Sequence, residues 1–271
     1  MGIQHYENFP VGSILLPARL RRPVALIYAF ARSADDFADE GDRSPQERLA
    51  LIDRYARELD VIEAGRQPQM PLFRELGTAI AQHALPVDYF RELLSAFSQD
   101  VTKQRYADFG ELRDYCRRSA NPVGRLLLHL FDAATPHNLD CADAICSSLQ
   151  LINFLQDVPI DYGKRRIYLP QDELVRFGVS EAQIGRGEAD GNWRALMSFQ
   201  IDRARRMLLA GAPLGRALPG RIGLELRLIV AGGNRILDKL QRTGANVFRS
   251  RPVLKPLDWI HMLYRAAIAH G

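Results

Sequence analysis

Apolar residues fall three and four positions apart along almost the whole 271-residue chain, and the strict alternation of a half-buried strand bounded by turns is scarce. A period near 3.6 places those side chains on one stripe of a helix, and the stripe is buried against another helix. The pattern therefore predicts an all-α protein. A first helix is predicted to start at Pro23 and to run through "PVALIYAFARSADDFADE". "SPQE", Ser44 to Glu47, reads as a capping box with Pro45 at the first helical position of the next helix. Further helices are expected around 72–84, 87–103, 109–134, 140–162, 191–210, 222–243 and 256–269, with one or two short helices between Arg165 and Trp193. No Ser- or Pro-rich linker and no repeat of solenoid period divides the chain, so a single domain over residues 1–271 is the simplest organisation.

A formal charge of +4 is too slight to suggest nucleic acid as a partner. The charge is uneven, however: Gln241 to Lys255 holds Arg242, Arg249, Arg251 and Lys255 with no acid, which suits either anionic lipid or a solvated basic face. Three cysteines, Cys116, Cys141 and Cys146, make neither a disulfide framework nor a zinc spacing, and the six histidines are scattered. No leader is evident in "MGIQHYENFP", and no apolar run approaches the roughly 18–20 residues needed to span a bilayer. The expectation is a cytoplasmic protein, at most peripheral at the inner membrane face. "GRGEADG" at 185–191 has the wrong glycine spacing for a dinucleotide loop and no strand before it.

Two acidic clusters carry the chemistry. In "SADDFADE", Asp39 shares a helix face with Asp35 and Asp36, an arrangement that costs roughly 0.2–0.5 kcal/mol per like-charged pair. In "QLINFLQDVPIDYGKRRIYLP", Asn153, Asp157 and Asp161 are successive i, i+4 neighbours, with Gln150 a turn earlier on that side and Pro159 expected to bend the helix between the aspartates. Either cluster alone reads most simply as a solvated face. Together they read otherwise, because each follows an apolar run, "ALIYAFA" or "LQLINFL", and the second is followed at once by Lys164, Arg165 and Arg166. Carboxylates facing each other across a bundle suit Mg²⁺, which uses few protein ligands plus phosphate oxygens. Adjacent cations suit the phosphate. The residues thus point to a helical enzyme that ionises a diphosphate and shields the resulting carbocation in an apolar interior.

These stretches resemble the squalene/phytoene synthase family over most of the chain: "LLPARLRRPVALIYAFARSADDFAD", then "QDVTKQRYADFGELRDYCRRSANPVGRLLLHLF", then "LQLINFLQDVPIDYGKRRIYLP". The resemblance implies an isoprenoid-synthase helical bundle with a central cavity and Mg²⁺ as cofactor. It makes Asp35, Asp39, Asp157 and Asp161 the catalytic metal carboxylates, with Asn153 as a further metal ligand and Gln150 beside it. It also implies that Arg32, Arg166 and Tyr168 contact diphosphate and that Tyr28 lines the pocket; the plainer reading of both tyrosines is amphipathic packing. "SANPVG" at 119–124 is either a kink facing substrate or a packing bend.

Three positions depart from the pattern of the condensing enzymes. Gln156 stands where Arg commonly precedes the second motif's first Asp, Arg118 stands where a Tyr is common, and Asn246 falls where a pocket Tyr is expected. With "HYENFPVGSILLP" they resemble the hopanoid-pathway branch of the family, whose reaction turns presqualene diphosphate, made by a separate paralogue, into hydroxysqualene by water capture without a nicotinamide. Arg118 then either holds diphosphate, or selects presqualene diphosphate over farnesyl diphosphate, or is a surface arginine beside Arg117. The alternatives are a squalene or phytoene synthase that condenses two prenyl diphosphates, and a non-catalytic isoprenoid-binding bundle.

Overall fold

Every regular element of the described residues, 16–259 and 262 of a computed structural model, is a helix. The first, α1 (Ala18–Asp39), begins a turn and a half before Pro23, which lies buried inside it. Leu16 and Leu20, both buried, anchor that extra stretch, so the proline is carried within the helix rather than opening it. The capping box forms as expected: the Ser44 hydroxyl accepts from the Glu47 amide at 3.3 Å and the Glu47 carboxylate accepts from the Ser44 amide at 2.8 Å, starting α2 (Pro45–Glu63). Next come α3 (Pro71–His83) and α4 (Val87–Asp100).

The predicted helix over 109–134 is two helices, α5 (Phe109–Ser119) and α6 (Asn121–Leu130). Ala120 leaves helical geometry at φ −121°, ψ −46°, and Pro122 brings no amide to continue the ladder. The break lets α6 lie against α7 (Pro136–Gly163). Gly124 makes the approach possible, since a Cβ there would stand 2.6 Å from the Cys146 sulfur. Thr135 caps α7, which continues through Pro159. The two short helices after Arg165 are α8 (Gln171–Phe177) and α9 (Glu181–Arg186), followed by α10 (Gly191–Gly211), an unanticipated turn α11 (Leu214–Ala217), and α12 (Gly220–Arg242). A last helical stretch starts at 256; its predicted continuation to 269 and the opening residues 5–15 lie outside the described residues.

Two apolar cores result. Phe30, Tyr55, Phe73 and Phe90 centre the first, between α1, α2, α3 and α4, while Trp193, Leu196, Met197 and Leu237 belong to the second, around α7, α10 and α12. Alternate faces of α6 join them: Leu126 and Leu130 enter the first core and Leu128 the second. Between the cores a cavity remains, with about 920 Å³ of empty space counted to its open mouth. All three cysteines are buried and free.

Candidate active site

The helices that wall the cavity also carry the aspartates. On α1, Val24, Tyr28 and Ala31 line the space, and the same stripe continues at helical spacing to Asp35 and Asp39. On α7, Ala142 and Cys146 line it, and their stripe continues through Gln150 and Asn153, both half-buried, to Asp157 and Asp161. At 1.5 Å per residue, Asp35 lies ~10 Å along its helix beyond Tyr28, and Asp157 ~16 Å beyond Cys146. In both helices the carboxylates lie on the C-terminal side of the apolar lining. Tyr28 therefore sits in the wall where it was expected.

The two acidic ends meet through cations. Asp39 pairs with the Arg166 guanidinium at 2.6 Å and with the Lys164 ammonium at 3.2 Å. A left-handed turn at Arg165, φ +63°, sends the chain back so that Arg166 also donates to the Asp100 carbonyl at 2.8 Å. Burial works against the Asp39 charge, but Arg166 and Lys164 outweigh it and hold its carboxyl below the ordinary value. Arg32 answers the repulsion within "SADDFADE", reaching Asp36 at 2.8 Å and Asp35 at 3.4 Å.

At three other carboxylates of this end the nearby cations do not outweigh burial. Burial and the neighbouring Asp39 push Asp35 up to about 6. Burial and Asp157 push Asp161 up to about 7. Asp100, which the sequence reading did not single out, is 6% exposed and is pushed by burial to about 7; one oxygen accepts from the Tyr115 hydroxyl at 2.6 Å while the other is buried with no hydrogen-bond partner.

Arg251 is the second residue that sequence reasoning missed as part of the site. It spans both oxygens of Asp157, at 2.5 and 3.0 Å, so it does not belong to a free basic face. Gln156 is buried and donates to the Pro252 carbonyl at 2.5 Å, pinning the same segment across α7. The Tyr168 ring stacks on Phe154 at 3.8 Å, beside Tyr106 and Tyr115, and is 8% exposed, while Asp100, Arg166 and Asp161 act electrostatically on its hydroxyl. Arg118 is engaged by Asp114 of α5 and by Ser95 and Gln99 of α4, at 3.1, 3.0 and 2.7 Å. Glu225 is a carboxylate in the otherwise apolar lining, which no motif signalled.

Among the described residues no three His, Cys, Asp or Glu side chains converge closely enough to hold an ion by themselves. The donor set nevertheless fits Mg²⁺, which keeps waters and substrate oxygens and needs only one or two carboxylates. Two carboxylates raised by burial and like charge are the groups that a divalent cation would relieve.

The model of the family described as squalene/phytoene synthase matches residues 3–258. A hydroxysqualene synthase of Rhodopseudomonas palustris is 34% identical over 94% of this chain and 85% of its own, and a phytoene synthase of Arthrospira platensis is 31% identical over 92% and 84%. Among solved structures, squalene synthase HpnC from Alicyclobacillus acidocaldarius superposes with a TM-score of 0.82 at 37% identity, covering 89% of this chain and 90% of that one. A bundle with two facing acidic helix ends over an apolar cavity, matched from residue 3 to residue 258, places this chain in the squalene/phytoene synthase family.

Proposed function

We propose that the protein converts presqualene diphosphate to hydroxysqualene. The observation that carries this reading is the charge beside the aspartates: Arg32, Lys164, Arg166 and Arg251 pair with them, while the neutral Gln156 is committed to the Pro252 carbonyl. A condensing enzyme holds two diphosphates, and this site has one cation fewer than the resemblance gives those enzymes. A substrate with one diphosphate fits the charge that remains.

Asp35, Asp39, Asp157 and Asp161, with Asn153 and Gln150 beside them, would hold Mg²⁺, which when bound neutralises charge on the leaving diphosphate. Arg32 and Arg166 orient the diphosphate, and Lys164 adds a point charge to it. The bond from carbon to diphosphate oxygen breaks with both electrons leaving on oxygen. The cyclopropylcarbinyl cation rearranges to an allylic cation, and one water adds to it, releasing a proton and giving the alcohol. Tyr28 and the aliphatic wall hold the hydrocarbon and keep bulk water from the cation. The paralogous synthase that makes presqualene diphosphate would be the functional partner.

A second reading, condensation of two prenyl diphosphates, is favoured by the similar identity to phytoene synthases. Incubation with Mg²⁺ and presqualene diphosphate, without a nicotinamide, followed by mass spectrometry of the C30 product separates the two. Hydroxysqualene supports the proposal. Turnover of farnesyl or geranylgeranyl diphosphate alone, with none of presqualene diphosphate, refutes it.

A further inference from the structure

Asp39, the second aspartate of the first motif, and Asp157, the first of the second, are each held by a cation from elsewhere in the chain. Arg166 comes from the turn that follows α7, three residues past its end at Gly163. Arg251 comes from 94 residues downstream and takes both oxygens of Asp157 in a parallel, two-pronged contact. A metal ion that took the lone pairs facing Arg251 would compete with those hydrogen bonds. The guanidinium so released is left beside a metal-bound diphosphate, whose oxygens offer the same bidentate geometry that the carboxylate did.

We propose that Arg251 is an exchange residue: it pairs with Asp157 and passes to a diphosphate oxygen when Asp157 takes a metal ion. This rests on the metal-diphosphate reading given above.

The exchange is a rotation of one side chain on a fixed segment. Upstream, the Trp193 indole donates to the Ala245 carbonyl at 2.9 Å, and its ring packs on Phe248 with centroids 4.8 Å apart. Downstream, Gln156 holds the Pro252 carbonyl at 2.5 Å and Lys239 holds that of Val253 at 2.7 Å. Asp258, 3% exposed, is clamped by Arg235 and Lys239 of α12 and accepts from the Lys255 amide at 2.6 Å. With both flanks fastened, the exchange needs no displacement of the backbone at residue 251.

The consequence is a pair of effects of opposite sign, which loss of a merely structural arginine would not produce. Mn²⁺ alone, followed by electron paramagnetic resonance, is expected to bind Arg251→Ala about tenfold more tightly than wild type, the size of one charge-assisted hydrogen bond no longer displaced. Inorganic diphosphate added with Mn²⁺, followed by calorimetry, is expected to bind the same variant about tenfold more weakly. Arg251→Lys, which keeps the charge but not the fork, is expected to recover part of the diphosphate affinity. Equal melting temperatures establish that the variants are folded. If wild type binds both probes but Arg251→Ala holds Mn²⁺ no more tightly, or diphosphate no more weakly, the exchange is wrong and the diphosphate site stands. If wild type binds neither probe, the diphosphate reading falls and this proposal with it.

Discussion

Raising the pH from 6 to 8 should strengthen divalent-metal binding by a factor set by two carboxylates. Asp35 stands at about 6 and Asp161 at about 7, in both cases because burial, followed by a neighbouring carboxylate, disfavours the charge. A metal ion takes the ionised form, so its apparent affinity follows the fraction of molecules in which both groups are deprotonated. At pH 6 that fraction is roughly one in twenty, half of Asp35 times one in eleven of Asp161, and at pH 8 it is about nine in ten. The Mn²⁺ affinity should therefore rise ~20-fold across the window, with protons released on binding at the acidic end. Calorimetry in buffers of different ionisation enthalpy measures both quantities. Asp161→Asn isolates the contributions, since its residual pH dependence over the same range should be only about twofold, that of Asp35 alone. An affinity independent of pH between 6 and 8, or a twofold change in wild type, would mean that these carboxylates are not the metal ligands.

The same raised Asp161 bears on stability with a definite sign. A carboxyl whose folded value lies above its unfolded value binds its proton more tightly when folded, so stability falls as pH rises from about 4 through about 7. Asp161→Asn should then abolish turnover yet raise Tm at pH 8 by at least ~2 °C, the shift that about 1 kcal/mol produces in a chain of this size, with little gain at pH 4. Gly124→Ala should cost ~1–3 kcal/mol in denaturant unfolding, because its Cβ meets the Cys146 sulfur, and Cys146→Ala in the same chain should restore part of the loss. Arg118→Ala should lower stability but leave diphosphate affinity unchanged, since its guanidinium is spent on Asp114, Ser95 and Gln99; weaker diphosphate binding would return it to the site. Arg249 and Lys255 are exposed beside exposed Leu257 and Trp259, and no described helix is long and apolar enough to cross a membrane. Replacing both basic residues with Gln should weaken flotation with anionic liposomes ~30-fold at low salt, about 1 kcal/mol for each, and an unchanged flotation would exclude this segment as a peripheral contact.

The period of the apolar residues was enough to make the chain helical, and the Ser44 capping box formed where local chemistry put it, as did two short helices after Arg165. The stripes of α1 and α7 were legible for the same reason, because a helix converts spacing into direction without help from the rest of the fold. Pro23 and the 109–134 stretch show where that ends. A proline's cost depends on what holds the flanking turns, so Pro23 was carried inside α1 by buried Leu16 and Leu20, while at Pro122 the chain broke to bring Gly124 against Cys146.

Charge partners across the fold were not legible. Nothing near Asp157 in sequence announces Arg251, 94 residues away, and nothing around Asp100 announces that it closes on Tyr115 beneath Arg166. The aromatic stack around Tyr168 and the contacts of Arg118 with Asp114, Ser95 and Gln99 were not legible either. The sequence by itself determined the helices, their apolar faces and the carboxylates that stand at their ends. Only the tertiary structure decided which cation meets which carboxylate, because burial and Coulomb attraction act between atoms brought together by packing, and sequence separation does not enter either one.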